Sequence, residues 1–234
     1  EFRRVLFRSA DVKMRMFNAD GSEGMMAGNA LRCVGKYIYD NGMVDAEEMT
    51  VETAKGVKGV KVYTMGGKVT SASVDMGYAT LDTSALNLLI PKKEVVNHPV
   101  RIGTEQYRIT CVDVGNPHCV VFSNRLDAIP VSSVGPLFEH AAYFPDRINT
   151  EFIRVVNPST IKMRVWERGS GETLACGTGA CAVVVAFTHL GRTPKNTPIT
   201  VSLRGGDLII TYSDNNHVLM QGSATEVFRG KINF

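Results

Sequence analysis

The chain has 234 residues, 44% of them hydrophobic, with 26 basic against 23 acidic side chains and a net charge of +3. That length buries a core in one or two domains, and the mixed signs give neither a basic face for nucleic acid nor a charged tail. No apolar run approaches the roughly 20 residues that span a bilayer, so a cytoplasmic protein is expected. Five cysteines, an odd number without paired CxxC spacing, make neither a disulfide framework nor a zinc site.

Taken in chain order, residues 1–10 mix basic and apolar side chains, as in Arg3-Arg4-Val5-Leu6-Phe7-Arg8. They lack the apolar region and small-residue cleavage site of a signal peptide and read as a truncated or non-native start. Residues 12–18 alternate apolar and polar side chains as a half-buried strand does. A polar, glycine-containing loop follows at 20–27, then a helix-like run at 28–39 opened by small residues. Segments 49–54, 57–64 and 69–76 are short, β-branched and separated by Gly-containing breaks, the pattern of hairpin strands. Further strand-like stretches fall at 107–110 and 114–122. The opening pattern then returns: a strand at 161–167, a polar loop at 169–176, a helix at 177–189, and strands at 199–203, 207–212 and 217–221.

The return has a fixed period, the mark of a duplicated unit. At an offset of 149, Val12-Lys13-Met14-Arg15 lies over Ile161-Lys162-Met163-Arg164. In the same register Glu23 lies over Glu172, Gly28 over Gly177 and Val34 over Val183. Thr50-Val51 meets Thr200-Val201 with a small shift. The segment at 107–122 has no counterpart, so the first lobe is expected to lack its opening ~40 residues if the duplication is symmetric. The expected organisation is a first lobe at 1–88, a second at 89–225, and a C-terminal segment at 226–234 returning to the first. Each lobe is α+β, a mostly antiparallel sheet around a central helix.

Cys176 sits where the second glycine-rich loop becomes a helix. A thiol there faces unpaired N–H groups and the positive helix end, which favour thiolate and predict a lowered pKa. The same N–H groups, from Gly177, Thr178 and Gly179, can cradle a carboxylate. The plainer alternative is a small buried hydrophobe, the reading given to Cys33, Cys111, Cys119 and Cys181. Under the offset Cys176 falls on Ala27, so two equivalent helix starts are present and only one carries a thiol. Inverting a stereocentre needs one group to take a proton from one face and another to deliver one to the opposite face.

Asn18-Ala19-Asp20-Gly21-Ser22-Glu23, Ala27-Gly28-Asn29, Gly115-Asn116-Pro117-His118, Glu167-Arg168-Gly169 and Gly171–Gly179 together resemble the diaminopimelate epimerase family. The resemblance covers most of residues 11–234. It implies two pseudo-symmetric lobes facing across a substrate cleft, no pyridoxal phosphate or metal, and a two-cysteine, two-base interconversion of LL- and meso-2,6-diaminopimelate. It makes Cys176 one acid/base cysteine and puts Ala27 at the position of its missing partner. Gly177 and Thr178 then bind the reacting carboxylate. Asn18, Gly28, Asn29, Asn116, Asn149, Glu167 and Arg168 hold the rest of the substrate, and His118 and Glu167 tune the cysteine pKa. The expected partner is this small molecule, not nucleic acid or a membrane, with a homodimer left open. Three other readings remain: a proline racemase-like or phenazine-type isomerase, a catalytically silent diaminopimelate-binding protein, and a cysteine-dependent hydrolase. The asparagines have a bland reading as turn formers, and Glu167–Arg168 as a solvated strand-end pair.

Overall fold

The computed structural model describes residues 10–17, 21, 23–24 and 27–231. Contacts divide the chain into two compact units, one of Glu1–Asp75 with Gln221–Phe234 and the other of Met76–Met220. Both are α+β.

The first unit contains β1 (Val12–Lys13), β2 (Met16–Phe17), β3 (Glu23–Gly24), α1 (Gly28–Asp40), β4 (Glu48–Thr53), β5 (Gly56–Met65) and most of β6 (Lys68–Tyr78). β1, β4, β5 and β6 are neighbours in that order. β4 buries every second residue, Met49, Val51 and Thr53, as its alternating sequence requires. α1 is amphipathic and lays Leu31, Gly35 and Ile38 on the sheet. Gly35 permits the approach: a Cβ there would stand 2.8 Å from Val60 Cγ1. The strand expected over 12–18 is broken into β1 and β2, and residue 18 lies outside the described residues.

The second unit runs β7 (His98–Ile102), β8 (Glu105–Asp113), β9 (Pro117–Phe122), a 3-10 turn at Leu126–Ala128, α2 (Val131–Glu139), β10 (Asn149–Asn157), β11 (Thr160–Glu167), β12 (Gly171–Thr173), α3 (Gly177–His189), β13 (Ile199–Leu203), β14 (Gly206–Tyr212) and the start of β15 (His217–Ser223). Its sheet has the order β15-β14-β13-β11-β10-β9-β8-β7, with β12 paired to β11. α3 is apolar on all sides, and Gly179 through Phe187 are buried without a break. It packs on β8, β9, β10 and β14 as the central helix of this unit. A second core lies under α2, where Phe138 meets the rings of Tyr107 and Phe152 edge-on at 4.9 and 5.5 Å.

The duplication holds at the level of backbone pairing. Met16 and Phe17 pair with Gly24 and Glu23, and the residues 149 later, Val165 and Trp166, pair with Thr173 and Glu172. Parallel pairing of Val12 with Val51 is matched by Ile161 with Val201. Even one ion pair repeats: Arg15 to Glu23 and Arg164 to Glu172, each at 2.9 Å. The exposed first copy contributes little stability. Its value is as a marker of common descent.

Two expectations need correction. Cys33 is exposed, because it lies on the outer face of α1, opposite Leu31 and Gly35. Cys111, Cys119 and Cys181 are buried, as expected. The sequence reading also passed over α2 and β10. Gly135 and Pro136 stand inside α2 and act as break signals, while β10 begins with five consecutive buried residues and so shows no alternation.

Candidate active site

Cys176 is the N-cap of α3, with φ −136° and ψ 111°. Its Sγ accepts a hydrogen bond from the Gly179 N–H at 3.3 Å and lies 3.6 Å from Thr178 Oγ1. The loop before it is tied down by Gly205, whose N–H donates to the Leu174 carbonyl at 2.8 Å. A side chain at Gly179 would force its neighbours to shift. A Cβ would stand 2.6 Å from Glu151 Oε1 and 3.2 Å from Cys176 Sγ.

The thiol is 6% exposed, and its acidity runs opposite to the sequence expectation. Burial first, with Glu151 and Glu167 acting in the same direction, pushes the Cys176 pKa up to about 12. The hydrogen bonds from Thr178 and Gly179 pull the other way and do not prevail. A helix start lowers a thiol pKa when solvent and positive charge surround it; this one is dry and flanked by acids. The sulfur is held as a thiol that becomes a strong base once ionised.

Beneath it lies a buried polar pair. β9 and β10 run parallel with His118 opposite Asn149, so Glu151, two residues along the same face, points the same way. His118 Nδ1 and Glu151 Oε1 are 2.7 Å apart, and both side chains are 0% exposed. Burial raises the Glu151 pKa, with His118 opposing that shift. Glu151 Oε2 is buried and has no hydrogen-bond partner among the described residues. His118 Nε2 lies 3.0 Å from Asn116 Oδ1, and Asn116 Nδ2 donates to Thr178 Oγ1 at 3.3 Å. Glu151 was missed by the sequence reading. The available signal was its place two residues beyond Asn149, ahead of the apolar pair Phe152-Ile153.

The turn after β11 is built as firmly. Asn149 donates from Nδ2 to the Pro117 carbonyl at 2.9 Å and accepts from the Arg168 N–H at 2.9 Å. Glu139 accepts from the Gly169 N–H at 3.0 Å and from Trp166 Nε1 at 2.7 Å. Glu167 accepts from the Thr173 hydroxyl. The exposed Arg168 guanidinium donates from Nη1 to the Asp146 carbonyl at 2.8 Å. Among the described residues no His, Cys, Asp and Glu side chains cluster as a metal site. Among the described residues no helix is long and apolar enough to cross a membrane.

A family model described as diaminopimelate epimerase matches residues 5–81 and 110–227. The diaminopimelate epimerase of Pelotomaculum thermopropionicum is 51% identical over 223 residues, covering 95% of this chain and 79% of that protein. This chain belongs to the diaminopimelate epimerase family. The diaminopimelate epimerase of Acetivibrio thermocellus is 48% identical over 95% of this chain and 79% of its own. Among solved structures, a probable proline racemase from Agrobacterium radiobacter superposes with a TM-score of 0.68 at 12% identity, covering 93% of this chain and 70% of that one. A phenazine biosynthesis protein of the PhzF family from Enterococcus faecalis gives 0.66 at 15%, covering 95% and 78%. At these identities the two structures share the fold alone. As a member of the diaminopimelate epimerase family, the chain is placed among isomerases.

In this epimerase-family chain the second unit brings together Cys176, Thr178, Asn116 and His118 through direct contacts, and Asn149 with Arg168. In the first unit Ala27 is the N-cap of α1 and makes no side-chain cap hydrogen bond. Gly28 is buried, and Asn29 Oδ1 accepts from Arg32 Nη1 at 2.7 Å. Asn18 lies outside the described residues.

Proposed function

We propose that the chain acts on 2,6-diaminopimelate by proton transfer at the α-carbon, with Cys176 serving one face and the opposite face assigned to position 27. The observation that carries this reading is the Cys176 sulfur at the start of α3, an acid/base group beside N–H groups that have no intrahelical acceptor. The amides of Gly177 and Thr178 would receive the reacting carboxylate. Asn18, Gly28, Asn29, Asn116, Asn149, Glu167 and Arg168 would hold the amino and distal carboxylate ends. Asn149 keeps one amide hydrogen and one lone pair for this, and the exposed Arg168 guanidinium suits a second carboxylate. Glu167 and His118 tune the thiol.

The methyl group of Ala27 neither takes nor gives a proton. Cys176 alone would remove the α-proton and return a solvent-derived one to the same face, which is exchange without inversion. The reading needs neither pyridoxal phosphate nor a metal, belongs in the cytoplasm, and is compatible with a homodimer. Repeat boundaries of 1–88 and 89–225, with 226–234 after them, are part of the same proposal.

The test is LL-diaminopimelate in deuterium oxide. The chain should place deuterium on the α-carbon with retention, Cys176→Ala should abolish this, and Ala27→Cys should add inversion. No exchange by either the chain or Ala27→Cys would sink the reading. Ala27 itself favours one alternative, a binding protein without catalysis; tight binding with no exchange, even in Ala27→Cys, would establish that instead.

A further inference from the structure

We propose that Glu151 is a positioning residue: the proton it shares with His118 fixes the imidazole with Nε2–H toward Asn116 and so directs a hydrogen-bond relay that ends on the Cys176 sulfur. This rests on reading Cys176 as the acid/base group.

The direction follows from which atoms can donate. Asn116 Oδ1 only accepts, so the His118 nitrogen 3.0 Å away, Nε2, carries a hydrogen. Asn116 Nδ2 only donates, so Thr178 Oγ1 is the acceptor at 3.3 Å. The Thr178 hydroxyl hydrogen is then left for its remaining neighbour, Cys176 Sγ at 3.6 Å. With the Gly179 N–H, two donors face the sulfur. Such an arrangement stabilises an ionised sulfur more than a neutral thiol.

Glu151 decides whether His118 can hold that orientation. Nδ1 lies 2.7 Å from Glu151 Oε1 in a site with no exposed surface. Two bare lone pairs at that distance repel, so one proton lies between them, on the carboxyl or on the imidazole. Both forms keep Nε2–H, and both leave the pair neutral overall. The unpartnered Oε2 agrees, since a neutral carboxyl tolerates an unmet lone pair better than a buried carboxylate does. The other titratable groups facing the pair are Cys176 from α3, Glu167 from β11 and Cys119 from β9. Without Glu151, His118 is free to move its hydrogen to Nδ1. Asn116 then turns over, and the Thr178 hydrogen is drawn away from the sulfur.

The decisive measurement needs no variant and no substrate: 15N NMR of histidine-labelled protein between pH 6 and 9. His118 should show a protonated Nε2 throughout, and an Nδ1–H form with a bare Nε2 overturns the proposal. The second arm is the pH profile of iodoacetamide labelling at Cys176, followed by peptide mass spectrometry with exposed Cys33 as internal reference. Glu151→Met and Thr178→Val should each slow labelling about tenfold at fixed pH, the loss of one hydrogen bond to a charged sulfur. The double variant should lose no more than either alone. Faster labelling in Glu151→Met would make Glu151 merely a nearby negative charge, and additive or absent effects would equally refute the relay. Neither arm uses diaminopimelate, so failure here is separate from failure of the proposed reaction.

Discussion

Ala27 and Cys176 occupy the same backbone position in two copies of one unit. Each is the N-cap of a 13-residue helix, at φ −137°, ψ 119° and φ −136°, ψ 111°. The extended N-cap conformation aims a side chain at the N–H two or three residues on. Cys176 uses this geometry, with Sγ accepting from Gly179, and Ala27 has nothing to offer it.

Position 27 is therefore prepared for a side chain it lacks. Ala27→Ser should stabilise the protein by about 1 kcal/mol by capping α1. Urea denaturation of both proteins measures this. Ala27→Ser should leave substrate inversion absent, whereas Ala27→Cys should introduce it, which separates capping from proton transfer.

The raised Cys176 pKa has two consequences. Labelling of Cys176 should climb about tenfold per pH unit without levelling by pH 10, because thiolate is the reactive form. Glu167→Gln should speed it, since that carboxylate raises the thiol pKa. For stability, the folded pKa of about 12 lies above the ordinary thiol value of 9.0, so the neutral thiol is favoured in the folded state. Its contribution is complete below pH 9 and fades as pH rises toward 12. Thermal midpoints across that window should fall less steeply in Cys176→Ala than in the parent chain.

Gly179→Ala should damage both stability and site. The new methyl would meet Glu151 Oε1 and Cys176 Sγ at once, and an overpacked core costs about 1 to 3 kcal/mol. A lowered melting temperature with altered Cys176 labelling is the expected pair of changes. A normal melting temperature would show that Glu151 can step aside.

Gly135→Ala tests the seat of the turn after β11. Its Cβ would run into the indole of Trp166, whose Nε1 donates to Glu139, and Glu139 in turn holds the Gly169 N–H. Trp166 is the sole tryptophan, so a shift of its fluorescence reports the displacement directly. About 1 to 3 kcal/mol should be lost from stability.

Asn149→Ala removes partners from the Pro117 carbonyl and the Arg168 N–H together. A loss of about 1 to 3 kcal/mol is expected from leaving these groups unmet. Hydrogen exchange at Arg168 should rise, which equilibrium unfolding combined with exchange measurements would show.

Much of this was legible without coordinates. The 149-residue offset aligned Ala27 with Cys176, and it also aligned the pairs Arg15–Glu23 and Arg164–Glu172, because homologous backbones keep their register when side chains drift. Both long helices were marked by small residues at their starts and apolar runs beyond. β10 and α2 were not legible: a strand buried on both faces loses its period of two, and Gly135-Pro136 imitates a loop.

What the sequence by itself determined is the repeat, the α+β pattern, and the placing of one thiol and one methyl at equivalent helix starts, since these depend on local spacing. Only the tertiary structure decided the state of that thiol. It brought Glu151 from another strand beneath Gly179, joined it to His118, and buried the sulfur beside them. Acidity is set by burial and by charges distant in sequence, so a helix start that alone predicts a lowered thiol pKa holds a raised one here.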